Sequence, residues 1–226
     1  MTNSKLTDPA KLSRREATQN ALMRSVESLA AERGLENISI REILARAGQK
    51  NESALQYHFK NLSGLLNALR TTRSQEIAAH RAKYLHDLLE RTPEPNLRQI
   101  CDVMVMPVFT LAKTSKGFKT YIQAFVHELT GADQNLVKIH TQRLGDSAYE
   151  IGVLLQKALP HLDRDTYLTR VEHVLRLISA AMNQHAQQPR AFSGKSADIF
   201  IQNLIDALEG LFKAPISAET RAAIEK

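Results

Sequence analysis

Apolar positions recur at helical spacing along most of the chain, and turn residues punctuate them at regular intervals. Ser13 with Glu16 makes a first capping box, followed by a stripe of Leu22, Val26, Leu29 and Ala30 that Gly34 closes. Leu35 and Ile38 tie the connection to the core. Ser39 with Glu42 opens a second, short helix whose apolar side is Ile40, Ile43, Leu44 and Ala47. Gly48 follows, where a helix end favours a residue free to take positive φ. Asn51 suits the N-cap of a third short helix. From Asn61 a long helix is expected to about Arg91, its middle RTTRSQEIAAHRAK polar enough to lie partly exposed between two domains.

Past the breaker TPEP (92–95), Asn96 with Gln99 opens another helix, with Pro107 placed to kink it. Gly117 and Gly131-Ala132-Asp133 bracket FKTYIQAFVHEL. A long helix is expected from about Asn135 to Leu159, stopped by Pro160. Asp163 or Asp165 caps the next, to about Gln187, and Ser196 precedes ADIFIQNLIDALEGLF. No run alternates as a strand would, so the pattern predicts an all-α protein. It divides into an arm (1–12), a three-helix helix-turn-helix domain (13–60), and a larger helical domain (61–226) entered through the long helix.

Two short helices across a Gly-containing turn can seat the second helix in a DNA major groove. The polar residues fit that task. Ser39, Arg41, Gln49, Lys50, Asn51, Glu52, Ser53, Gln56, Tyr57, His58 and Lys60 are the candidate DNA contacts. Asn and Gln pair with adenine, Lys reaches guanine acceptors and Glu accepts from cytosine. Ser39, Ser53, Tyr57 and Lys60 suit phosphate oxygens, which fix position and not sequence. An ordinary solvated helix face carries similar residues. Charge sharpens the picture: residues 1–91 hold 15 Lys and Arg against 10 Asp and Glu, and residues 92–226 hold 15 against 14. Most of the formal charge of +6 therefore lies at the end that would meet phosphate.

These residues carry a family resemblance. Gly34, Ser39, Ile43, Ala47-Gly48, Tyr57-His58-Phe59 and Leu65-Leu66 agree in order and spacing with the N-terminal domain of the TetR/AcrR family of transcriptional regulators. The resemblance covers roughly residues 13 to 70. QKNESALQ, between Gly48 and Tyr57, is one residue longer than the commonest family pattern, and Leu62 stands near where the family usually has lysine. The resemblance implies that Tyr57 contacts the DNA backbone. It also implies that the last two helices form a four-helix bundle with their symmetry mates, through Leu168, Val171, Leu175, Ile178, Met182, Phe200, Leu204, Leu208 and Leu211. Such a homodimer sets two recognition helices about one DNA turn apart, ~34–36 Å or a multiple, on a near-palindrome.

The family's C-terminal domain usually binds a small molecule. Met104, Met106, Phe109, Tyr121, Phe125, His127 and Tyr149 are the candidate lining for a small hydrophobic effector, although any helical core contains such residues. No enzyme signature is present: G-x-S-x-G, a phosphate loop, a dinucleotide fingerprint and HExxH are all missing. His80 and His86, six apart, do not share a helix face, and the one cysteine, Cys101, sits in an apolar run as a small core residue. Neither catalytic residues, cofactor nor metal is expected. No stretch reaches the ~18 apolar residues of a membrane span, and the polar first residues do not resemble a secretory signal; the expected location is cytoplasmic. The sequence thus points to a dimeric repressor on double-stranded DNA, released by an effector. An effector-independent architectural DNA-binding protein is the alternative.

Overall fold

The computed structural model describes residues 13–51, 53–125 and 146–224. Among these there are ten α-helices and no strand: α1 (Arg14–Arg33), α2 (Ile40–Arg46), α3 (Ser53–Phe59), α4 (Leu62–Arg91), α5 (Leu97–Thr114), α6 (Lys116–Phe125), α7 (Asp146–Ala158), α8 (Arg164–Ala186), α9 (Gly194–Lys213) and α10 (Ala218–Ile224). A 3-10 turn, Leu35–Asn37, joins α1 to α2. The arm (1–12) lies outside the described residues, as do 135–145 of the long helix expected before Pro160.

Local signals decided most boundaries. Capping boxes close at Ser13/Glu16, Ser39/Glu42 and Asn96/Gln99. The Asp163 carboxylate accepts the Asp165 and Thr166 amides at the start of α8. Three boundaries moved. α6 begins at Lys116, so Gly117, expected to mark a turn, lies inside its first turn. α9 begins at Gly194, two residues before Ser196, because Arg190 and Gly194 both take positive φ and turn the chain there. α3 begins at Ser53, not directly after Asn51. α10 carries no buried residue and has no apolar stripe to announce it.

The chain divides into two compact units, residues 1–72 and 73–226. The sequence boundary was placed at residue 60, but Leu65 and Leu69 of α4 are buried with the first unit's core. In that unit α1 packs against α2 and α3, enclosing Leu22, Val26, Ile43, Leu44 and Leu55. Each such leucine or isoleucine removed from water contributes roughly 1.5–3 kcal/mol.

The second unit is built around α5, which packs against α6, α7 and α9. It is apolar on several sides, with Ile100, Cys101, Val103, Val105 and Phe109 all buried, as a central helix must be. Burial pushes the Cys101 thiol up to about 12, so it is an inert core residue. α8 and α9 pack against each other, and α6 lies on α8, where the buried Asn183 amide donates to Ile122 O at 2.8 Å.

Candidate nucleic-acid interface and effector cavity

The turn between α2 and α3 is fixed by the backbone. Gly48 N–H donates to Ala45 O (3.1 Å) and Gln49 N–H to Leu44 O (2.8 Å), the paired bonds of a Schellman end, with Gly48 at φ +68°. Two ion pairs hold α2 to α1: Arg33 with Glu42 at 2.9 Å, and Arg46 with Glu32. Both are exposed, so they position more than they stabilise. The Glu42 carboxyl is held down to about 2, chiefly by the Ser39 backbone N–H, then by the Ser39 hydroxyl and Arg33.

At its other end α3 meets α4 with no room to spare. Asn61 Oδ1 caps α4 by accepting the Gly64 N–H at 2.8 Å. A Cβ on Gly64 would lie 1.9 Å from Phe59 O, so only glycine admits this approach. Lys60, between the two helices, takes φ 68°, a left-handed conformation costly for a residue with a side chain. Neither feature has a sequence signal except the glycine itself.

The outward face of α3 follows from this clamping. With Leu55 buried, Ser53, Gln56 and Tyr57 recur at i, i+3 and i+4 along one exposed side of α3, and Lys60 is exposed just past its end. Tyr57 is 74% exposed, far beyond what a tyrosine kept for packing shows. Arg41, Lys50 and Asn51 are exposed as well. Other candidates are engaged within the chain. The Ser39 hydroxyl donates to Glu42 Oε2 (2.8 Å), so a phosphate would have to displace the cap. Gln49 folds back, its amide donating to Ala47 O at 3.4 Å. The Ser53 hydroxyl donates to Asn51 Oδ1. His58 is half-buried, its Nδ1 enclosed without a hydrogen-bond partner among the described residues, and Phe59 is half-buried. Glu52 lies outside the described residues.

In the second unit three of the seven expected lining residues are buried. Phe109 is buried edge-on to Phe192 (5.6 Å), and Tyr121 stacks on Phe125 (5.4 Å). Tyr149 is 70% exposed, on the outward side of α7. Met106 is half-buried and His127 lies outside the described residues. Met104 borders a cavity of about 80 Å³. Its other walls are Ala148, Ile151, Gly152 and Leu155 of α7, Tyr167, Leu168, Val171 and Leu175 of α8, and Arg81 of α4.

Three of those residues, Leu168, Val171 and Leu175, were expected at a dimer interface. Leu175, Ile178, Met182, Leu204 and Leu208 are buried within the single chain, and Phe200 stacks on His185 at 3.7 Å. An apolar stripe says that a face is covered, not by what. Leu168 of that set is exposed, and further outward residues are Thr169, His173, Ala180 and Gln184 on α8, and Ile199, Asn203, Ala207 and Gly210 on α9.

Arg81 is the residue the sequence hid, since it stands in a stretch polar enough to look exposed. It is 2% exposed, and its Nε donates to Ser147 Oγ at 3.1 Å. Burial draws its pKa down to about 10, which leaves it a cation at neutral pH. A wider groove of about 420 Å³ runs beside Tyr84, Arg91, Arg98 and Asp102. There burial and a hydrogen bond to Asp102 raise the Tyr84 phenol well above its usual range. No helix among the described residues is long and apolar enough to cross a membrane, and no three of their His, Cys, Asp or Glu side chains are grouped to hold a metal ion.

A helix-turn-helix unit continued by a long helix into a larger all-α domain defines the architecture. Residues 102–212 match the family described as "Tetracyclin repressor-like, C-terminal domain". That segment, just under half of the chain, is similar to the C-terminal domain of tetracycline-repressor-like regulators. Among solved structures, RolR in complex with resorcinol is 14% identical, the alignment covering 90% of this chain and 96% of that one at a TM-score of 0.46. SCO7518, a transcriptional regulator candidate from Streptomyces coelicolor A3(2), is 17% identical over 87% of this chain and 99% of its own, at 0.45. No curated protein matches the sequence.

Proposed function

We propose that the protein is a sequence-specific DNA-binding repressor, acting as a homodimer on a near-palindromic operator and released when a small effector occupies its second unit. The observation that carries this reading is the exposed stripe Ser53, Gln56 and Tyr57, held on a helix locked at both ends, with Lys60 exposed just past its end. Gln56 is a base-reading group, and Tyr57 and Lys60 are phosphate-binding groups. Dimerisation would use the outward faces of α8 and α9, where Ala180, Ala207 and Gly210 permit close approach and Ile199, 52% exposed, supplies an apolar contact. The effector acts by preferring one spacing of the paired recognition helices over the other, since equal affinity for both shifts nothing. α4 runs through both units and is the element able to transmit that preference.

The test is nuclease protection by the purified protein on DNA upstream of its own gene, with random DNA as competitor. The reading predicts two protected half-sites related by two-fold symmetry, about ten base pairs or a multiple apart. Uniform protection that random DNA competes away would instead identify an architectural protein.

A further inference from the structure

α2 has little apolar surface with which to hold its angle: of its seven residues, Ile43 and Leu44 are the buried ones. Charge fastens it to α1, in a reciprocal arrangement. Adjacent residues Glu32 and Arg33 of α1 meet Arg46 and Glu42 of α2, so each helix supplies one acid and one base. The Arg46 pair is the more directional. Its two terminal nitrogens donate to the two Glu32 carboxylate oxygens, Nη2 to Oε2 at 3.0 Å, and Nη1 donates also to Ser28 Oγ at 2.9 Å. The Ser28 hydroxyl in turn donates to Glu32 Oε1 at 3.1 Å. One side chain of α2 is thereby fixed to two residues a turn apart on α1. A guanidinium fork fixes direction as well as distance, which a point charge does not.

An exposed arginine beside a DNA-reading helix is ordinarily counted with the phosphate-binding groups. Resting on the reading of α3 as that helix, we propose that Arg46 is instead a positioning residue: its fork on Glu32 and Ser28 sets the angle of α2 on α1, and so the direction in which α3 presents Gln56. The turn carries the angle onward, because the Gly48 and Gln49 N–H groups bond back to Ala45 O and Leu44 O of α2. Reading a base edge needs a fixed approach, whereas attraction to phosphate tolerates a loose one. The pair is exposed, so its loss changes overall stability little.

The experiment compares the full chain with its Arg46→Lys and Glu32→Gln variants for binding to operator and to random DNA over a range of salt, with melting temperatures as the check on folding. Arg46→Lys keeps the charge and loses the fork. It is expected to lower the preference for operator at least about fivefold and to leave the salt slope on random DNA unchanged. Glu32→Gln removes an acid, and is expected to lower the preference by a similar factor without weakening binding to random DNA. A phosphate-bound arginine predicts otherwise: preference kept in Arg46→Lys, and both DNAs bound more tightly in Glu32→Gln, where the guanidinium is set free. Either result would overturn the assignment. Exchanging the charges, Glu32→Arg together with Arg46→Glu, is expected to recover preference that Glu32→Arg alone loses. Exchange of the Ile43 and Ala47 amides, which donate to Ser39 O and Ile43 O, is measured without DNA and is expected to quicken about threefold in Arg46→Lys. Wild-type protein with no preference for operator would remove the reading of α3, and amide exchange would then decide the positioning role by itself: faster exchange keeps it, and unchanged exchange in the folded variant overturns it.

Discussion

The ends of the short helices in the first unit are fixed by bonds between near neighbours, whereas the helices of the second unit are joined to one another by side chains far apart in the chain. In the first, the capping box at Ser39, the Schellman end at Gly48 and the Asn61 cap each join residues within five positions of one another. In the second, Arg98 reaches Gln202 at 2.8 Å, Asn183 reaches Ile122, and Arg170 donates to Phe212 O at 2.8 Å. A short recognition helix has little apolar area with which to fix itself, so backbone geometry must do it. A cavity needs walls from several helices, and only distant contacts assemble those. The surroundings of α3 are therefore stiff by local design, whereas the second unit's properties belong to its packing.

The largest expected effect lies in the distant contacts. Phe212 is fully buried on α9, and Phe212→Ala should lower unfolding stability by about 3–5 kcal/mol, read by chemical denaturation. Gly64→Ala should cost less, about 1–3 kcal/mol, because the clash with Phe59 O is relieved by shifting α4 against α3. That shift should nevertheless abolish specific DNA binding in a gel-shift assay, whereas a change confined to the second core should spare the reader's local structure. Lys60→Gly should separate stability from function: removing the left-handed strain raises stability by about 1 kcal/mol, while losing one phosphate contact lowers the salt slope of DNA binding by about one.

The smallest effect is the pH response of the α2 cap. The folded Glu42 carboxyl sits at about 2, below its unfolded value, so its contribution is fully present above the ordinary carboxylate range and is lost as pH falls towards 2. Helical circular dichroism of the wild type should therefore decline over that acid range more steeply than that of Glu42→Gln, which keeps a capping side chain without the titrating group.

The same contrast explains what could be read from the chain. Ser13, Ser39, Asn96 and Asp163 announced their helices because a cap is satisfied three residues away, and Gly34 and Gly48 announced ends for a similarly local reason. Family resemblance located the helix-turn-helix from Gly34 to Phe59. Arg81 was illegible, because whether an arginine in a polar stretch is buried depends on Ser147, sixty-six positions on. Leu175, Met182 and Leu208 were correctly apolar, but their spacing does not tell a chain's own core from a partner's surface. Tyr149 looked like lining and faces outward. Gln49 looked outward and folds back onto its turn, a choice made by one carbonyl at Ala47.

The central claim, that the exposed side of α3 reads DNA, is tested most directly by competition binding of Gln56→Ala and Tyr57→Ala on operator and random DNA. Both side chains are exposed, so melting temperatures should match the wild type. Gln56→Ala should lose about 1–3 kcal/mol of preference for operator over random DNA, whereas Tyr57→Ala should weaken both alike. Unchanged affinity and preference in both folded variants would contradict the account.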